Sequence, residues 1–303
     1  MSKSTENDNG RYFEYLVTRT IQETHGVALT MQAKELQARD SNKLVSESTR
    51  NGMHIAAVQV ANWVSSNLQL DGNAILDRYP DETAAQKTHE DISIRDDNGK
   101  SIGFSLKHNH EAIFHGRVLS MASNNWLRLG KEHISYINFE ANLKKIIAKL
   151  HHTIPPGTIF AKRGLYPKYV DAWSLFVSNT HDEVRQFLSY ANEEKKAQDL
   201  FRLIIGTGSD QFRVLKKNKR VLVQDLRDLK LPNKVDILNR QRITKDPRSA
   251  YVWHLVLEFN NGLVLDARSK QDSGTMTKGK PPLKHDWQVI DWGDSGMSEI
   301  ELP

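Results

Sequence analysis

The sequence predicts an α/β (α+β) fold, a mixed β-sheet flanked by helices, and three observations carry that prediction. Apolar residues recur at helical spacing through the amino-terminal 70 residues, the period changes to two at residues 91–108, and strand-like alternation returns after residue 250. No internal repeat or low-complexity tract interrupts this order.

The first helix is read from "GRYFEYLVTRTIQETHG", where Tyr12, Phe13, Leu16, Val17, Thr20 and Ile21 form one stripe and Gly26 ends it. The ten polar residues before it are expected to be disordered. "QAKELQARDSNKLV" predicts a second helix and the more apolar "GMHIAAVQVANWVSSNL" a third. "DISIRDDNGKSIGFSLKH" then reads as two strands joined at Asp97-Asn98-Gly99, where Asn-Gly suits the positive φ angles of a tight turn. Ile92, Ile94, Ile102, Phe104 and Leu106 share one face of that hairpin. Asp91, Ser93, Ser105 and Lys107 share the other.

Residues 134–206 return to the helical period in "NFEANLKKIIAKLHH", "KYVDAWSLFV" and "HDEVRQFLSYANEEKKAQDLFRLIIG", with "TIPPGTIF" as the break. "YVWHLVLEF" and "GLVLDAR" predict strands around the Asn260-Asn261-Gly262 turn, and "WQVID" a last one.

Composition narrows the chemistry. A chain of 303 residues with 38% hydrophobic content can bury a sizeable core. Without a cysteine it has no disulfide framework, thiolate zinc site or cysteine nucleophile. No apolar run approaches the roughly 20 residues of a membrane helix, and "MSKSTENDNG" lacks the apolar core of a signal peptide, so a cytoplasmic location is expected. The net charge of +5 is common among ordinary proteins, but its distribution is uneven. Gln211 to Ala250 holds 12 Lys or Arg against 4 Asp or Glu, either a solvated helical face or a wall facing phosphates.

The hairpin carries the sharpest chemical signal. Asp91 opens one strand and Lys107 closes the next, so antiparallel pairing brings both to one end and one face of the sheet. There a carboxylate can hold Mg2+ on a phosphate, while the ammonium orients a water and stabilises charge developing at phosphorus. The bland alternative is a surface ion pair on an edge strand.

An acid at a strand start, a short hairpin and a lysine on the partner strand resemble the PD-(D/E)XK nuclease core. "FEYLV", with Glu14, is similar to that superfamily's helical glutamate. "EDISI", "GFSLKHNHEA" and "HGRVLSM" more narrowly resemble the HaeIII family of type II restriction endonucleases, and "KPPLKHDWQV" is similar to its carboxyl-terminal block. The (D/E)XK triplet reads Ser105-Leu106-Lys107, with a hydroxyl where a second carboxylate is usual. Glu14, Glu90 or Glu111 could restore the charge; Glu14 is favoured because a helix packed across the hairpin can present it. The literal Pro80-Asp81 lies in an expected loop, so the acid is assigned to Asp91.

The resemblance implies a Mg2+-dependent enzyme that cuts both strands of a short specific duplex site, a G/C-rich palindrome such as GGCC, and a partner methyltransferase protecting host DNA. Asp91 and Glu14 are the expected metal ligands, with Lys107 and Ser105 completing the catalytic set. It also implies DNA-binding roles for Asn109, His110 and Arg117, which follow the strand of Lys107. His108 and His110, two apart, would share a strand face, where polar contacts are commoner than metal ligation. "LDARSKQDSGTMTKGKPPLK" reads as either an ordinary surface loop or a DNA-contacting arm bearing Arg268, Lys270, Lys278 and Lys280.

One nuclease domain is expected over residues 11–303. Its parts are a catalytic core at 11–135, a helical, basic, DNA-facing insertion at 136–250, and carboxyl-terminal strands with the DNA-contacting loop at 251–303. A palindromic target favours a homodimer by symmetry, and a monomer nicking in succession fits equally. Two rivals stay open: a structure-selective repair or mobile-element nuclease of the same fold, and a non-catalytic DNA-binding module. "GTGSD" at Gly206 to Asp210 lacks the strand context and third glycine of a nucleotide fold.

Overall fold

The computed structural model describes residues 6–43, 45–68, 70, 73–80, 90–96, 98–109, 126–130, 132–158, 167–206, 211–243, 251–271, 276, 281 and 283–303. The chain divides into two compact units. One comprises Met1–Glu111, Gly206–Leu229 and Gly296–Pro303; the other comprises Ala112–Ile205 and Lys230–Ser295.

In the first unit α1 (Glu6–His25), α2 (Met31–Asp40) and α3 (Glu47–Asn67) accompany a seven-stranded mixed sheet. Helix α1 starts within the polar lead-in expected to be disordered, so residues 6–10 are helical. Thr30 and Ser46 cap the next two helices by accepting from the amides of Ala33 and Thr49. The strands are β1 (Ala28–Leu29), β2 (Ile75–Arg78), β3 (Ile92–Arg95), β4 (Ser101–His108), β5 (Gln211–Lys217), β6 (Arg220–Asp225) and β11 (Ser298–Leu302). They lie in the order β1-β2-β3-β4-β5-β6-β11.

The β3–β4 hairpin forms with Ile92 opposite Phe104 and Ile94 opposite Ile102. Asp96 closes its turn, its Oδ1 accepting from the Lys100 amide, while Gly99 takes φ +78°. As the alternation required, Ile92, Ile94, Phe104 and Leu106 are buried in one core with Phe13 and Val17 of α1 and Met53, Ala57 and Val60 of α3.

Strand β4 then pairs in parallel with β5, putting Ser105 opposite Arg213 and His108 opposite Lys216. This overturns the helical alternative for the described residues of the charged stretch. Residues 211–225 are an antiparallel hairpin turning at Asn218, φ +54°, and residues 235–243 a further strand. Stretch 206–229, assigned from sequence to the insertion, belongs with the first unit.

In the second unit α4 (Ile134–Thr153), α5 (Val170–Glu193) and α6 (Ala197–Ile205) join an antiparallel sheet of β7 (Val235–Ile243), β8 (Tyr251–Phe259), β9 (Val264–Gln271) and β10 (Leu283–Asp291). Helix α5 packs on α4 and against β7 and β8. Leu255, Leu257, Leu265, Ala267 and Trp287 are buried there. The Asn260–Gly262 turn forms as expected, with Gly262 at φ +84°. A Cβ on Gly293 would lie 2.4 Å from the Gly262 carbonyl carbon, so this approach requires glycine. Among the described residues no helix is long and apolar enough to cross a membrane.

Candidate active site

Asp91 sits immediately before β3 and is fixed through its backbone on both sides. Its amide donates to the Phe104 carbonyl at 2.8 Å, and its carbonyl accepts from the Tyr79 amide at 3.0 Å. Its carboxylate turns toward β4, where Oδ2 accepts from the Leu106 amide at 2.6 Å and from Lys107 Nζ at 3.4 Å. The expected meeting of Asp91 and Lys107 is therefore present in the structure. Both side chains are half-buried, 15% and 24% exposed, so the pair remains open to a ligand.

Glu14 reaches the same place from α1. Its Oε2 accepts from Arg78 Nη2 at 2.9 Å, and its side chain is 12% exposed. Burial, joined by repulsion from Asp91, pushes its carboxyl up to about 7; Arg78 and Lys107 offset part of that rise. Glu14 and Asp91 therefore feel each other's charge across a partly dry space, which a cation would relieve. Ser105, nearly buried at 5% exposure, occupies the sheet position two before Lys107 and adds no charge.

The described residues hold no group of three or more His, Asp or Glu side chains arranged around a metal. Two carboxylates nevertheless suit a hard divalent ion that keeps several waters and takes other oxygens from phosphate. The donor chemistry thus fits Mg2+ better than zinc.

Beyond Lys107 the strand ends in two residues of different character. His108 has its ring centroid 6.2 Å from that of Phe13, and burial, with the Lys216 charge beside it, lowers its pKa to about 4. It is a neutral core-edge imidazole near pH 7. Asn109 adopts φ +51°, and its Oδ1 accepts from the Asn218 amide at 2.9 Å while its own amide donates to the Lys216 carbonyl at 2.7 Å. Its side chain thereby docks the β5–β6 turn onto the end of β4.

Glu90, one of the alternative acids, lies over Gly103, where a Cβ would come within 2.2 Å of its side chain. Arg268 is exposed on β9, opposite His254 and Asp286 in register. Lys270 pairs with Lys284 on the same ladder. Asp81, His110, Glu111, Arg117, Lys278 and Lys280 lie outside the described residues.

Sequence reasoning missed the support behind Glu14. Arg78 is fully buried and donates to Glu14, to Asp40 Oδ2 at 2.7 Å, to Gln37 Oε1 at 3.0 Å and to the Arg11 carbonyl at 3.1 Å. Burial opposes ionisation of Asp40, but Arg39 and Arg78 together hold its carboxyl below the ordinary value. No local motif marks this network, because residues 11, 14, 37, 40 and 78 meet only through the packing of α1, α2 and β2.

The model of the HaeIII restriction endonuclease family matches residues 10–248, which takes in Glu14, Asp91, the β3–β4 hairpin and the β5–β6 hairpin. No curated protein and no solved structure gives a significant match to the chain. With a mixed sheet of the restriction endonuclease kind and a match over most of its length, this chain belongs to the HaeIII restriction endonuclease family.

Proposed function

We propose that this restriction endonuclease is a type II enzyme that uses Mg2+ to hydrolyse phosphodiester bonds in both strands of a short specific DNA site. The observation that carries the proposal is the Asp91 carboxylate, held by the Leu106 amide and touched by Lys107, with Glu14 buried against Arg78 close enough to feel its charge. A divalent cation bound by Asp91 and Glu14 would polarise a phosphate oxygen and acidify a bound water. Lys107, in contact with Asp91, would orient the attacking water and balance charge gathering on phosphorus. Ser105 leaves the second acid position neutral, so the charge comes from the helix rather than from the strand triplet.

Asn109 acts in this reading through the β5–β6 turn, because its Oδ1 is engaged there. His110 and Arg117 keep their assignment to DNA through family resemblance. Arg268, Lys270, Lys278 and Lys280 remain the candidates for phosphate or groove contacts in the carboxyl-terminal region. A GGCC-like palindrome, a homodimer on that palindrome and a methyltransferase guarding host DNA extend the same family reading.

Digestion of unmethylated phage DNA with Mg2+ or with EDTA, followed by sequencing of fragment ends, tests the proposal. Discrete fragments sharing one short motif, lost on chelation, are expected. A smear would favour a structure-selective nuclease of the same fold. Binding without cutting under any divalent ion would leave only a DNA-binding module, a reading the Asp91–Lys107 contact argues against.

A further inference from the structure

We infer that Arg78 is the positioning residue for Glu14, holding one carboxylate oxygen so that the other is presented to a divalent cation shared with Asp91. The inference rests on reading Glu14 and Asp91 as the metal carboxylates.

Arg78 has no solvent exposure, and a guanidinium so placed costs stability unless its donors are satisfied. Its Nη2 meets the Arg11 carbonyl, Glu14 Oε2 and Asp40 Oδ2, and its Nη1 meets Gln37 Oε1, while its buried Nε has no partner among the described residues, so the two terminal nitrogens carry the fixing of Glu14. Gln37 is itself anchored, donating from Nε2 to the Tyr15 carbonyl at 3.1 Å. The partners come from both ends of the problem: Arg11 and Tyr15 flank Glu14 on α1, while Gln37 and Asp40 belong to α2. A planar fork of donors fixes direction as well as charge, which a lysine ammonium does less well.

The next residue completes the device. Arg78 is opposite Ile92 in register, and the Tyr79 amide binds the Asp91 carbonyl. Two consecutive residues at the end of β2 thus set the side chain of one acid and the backbone of the other. The spacing between the acids is then a property of β2 and does not depend on the Glu14 rotamer alone. Asp40 takes part of the guanidinium charge, and Arg39 neutralises Asp40 in turn through an Nε–Oδ1 contact of 2.8 Å. Arg78 engages Glu14 through Oε2, so Oε1 is the oxygen available to a cation.

The test is Mn2+ binding to the full chain, followed by the electron paramagnetic resonance of free Mn2+, in wild type, Asp91→Asn, Arg78→Gln, Arg78→Lys and Gln37→Ala proteins of confirmed circular dichroism. Asp91→Asn is expected to remove the site. Arg78→Gln should weaken binding on the order of 10- to 100-fold, as loss of a ligand's hydrogen-bonding support does, with Arg78→Lys recovering part of it. Gln37→Ala, which deletes one bond to the guanidinium, should weaken it by a smaller factor. A folded Arg78→Gln protein that binds Mn2+ as wild type does, while Asp91→Asn does not, would overturn the inference. If Arg78→Gln fails to fold, an unchanged affinity in Gln37→Ala overturns it instead. Should wild type bind no Mn2+ that Asp91→Asn removes, the reading of the two acids as a metal site falls, and this inference with it.

Discussion

Glu14 and Asp91 are held in different ways, and the difference has a measurable consequence. Asp91 accepts a backbone amide and a lysine, whereas Glu14 is buried beside Asp91 and its carboxyl is raised from 4.5 to about 7. The folded chain keeps a proton there that the unfolded chain releases, so stability falls as pH rises through the window from 4.5 to about 7 and no further above it. Glu14→Gln mimics the protonated form. Without divalent metal its melting temperature should exceed that of wild type by on the order of a few degrees at about pH 8, and the difference should vanish below the unfolded value. Thermal melts at the two pH values check this. An equal melting temperature at the higher pH would mean that Arg78 fully compensates the Glu14 charge.

Strand β4, which carries Lys107, is held at its far end by the hairpin beside it. Asn109 occupies the left-handed region, which asparagine tolerates better than branched residues, and its Oδ1 closes the Asn218 turn. Asn109→Gly keeps the backbone angle and should lose about 1 kcal/mol with the bond. Asn109→Val adds strain and should cost about 1–3 kcal/mol more. Chemical denaturation of both variants gives the order, and equal losses would show that the backbone angle is immaterial. The same region shows where sequence patterns fail. The helices and the β3–β4 hairpin were legible because each presents one apolar face, with Ile92, Ile94, Phe104 and Leu106 alternating cleanly. Strand β5 does not alternate: Gln211 and Arg213 are buried on one side and Lys216 takes an inward position on the other, so "QFRVLKK" reads as charge. Strands β2 and β11, with four and five residues, offer too few positions for a period to show.

Across the whole molecule, the sequence made two of the three central residues legible as a pair and the third by analogy of position. Asp91 and Lys107 are linked by hairpin register, which short-range pattern determines. The Glu14–Arg78–Asp40 network depends on long-range packing that no spacing rule conveys, and Arg78 went unnoticed for that reason. Among the described residues, the charges of the stretch that begins at Gln211 do not all face outward. Some turn inward as Arg213 and Lys216, and some are paired, as Arg220 is with Glu301 and Arg227 with Asp225. In the proposed reading Asp91, Glu14 and Lys107 perform phosphodiester hydrolysis in a restriction endonuclease whose DNA affinity comes from other residues. Single-turnover cleavage of a DNA fragment carrying one site, measured beside binding of the same fragment in Ca2+, tests it most directly in Asp91→Asn and Lys107→Ala proteins. Cleavage should fall on the order of 100-fold or more in each, with binding retained. Near-normal cleavage with Mg2+ in either variant would contradict that reading.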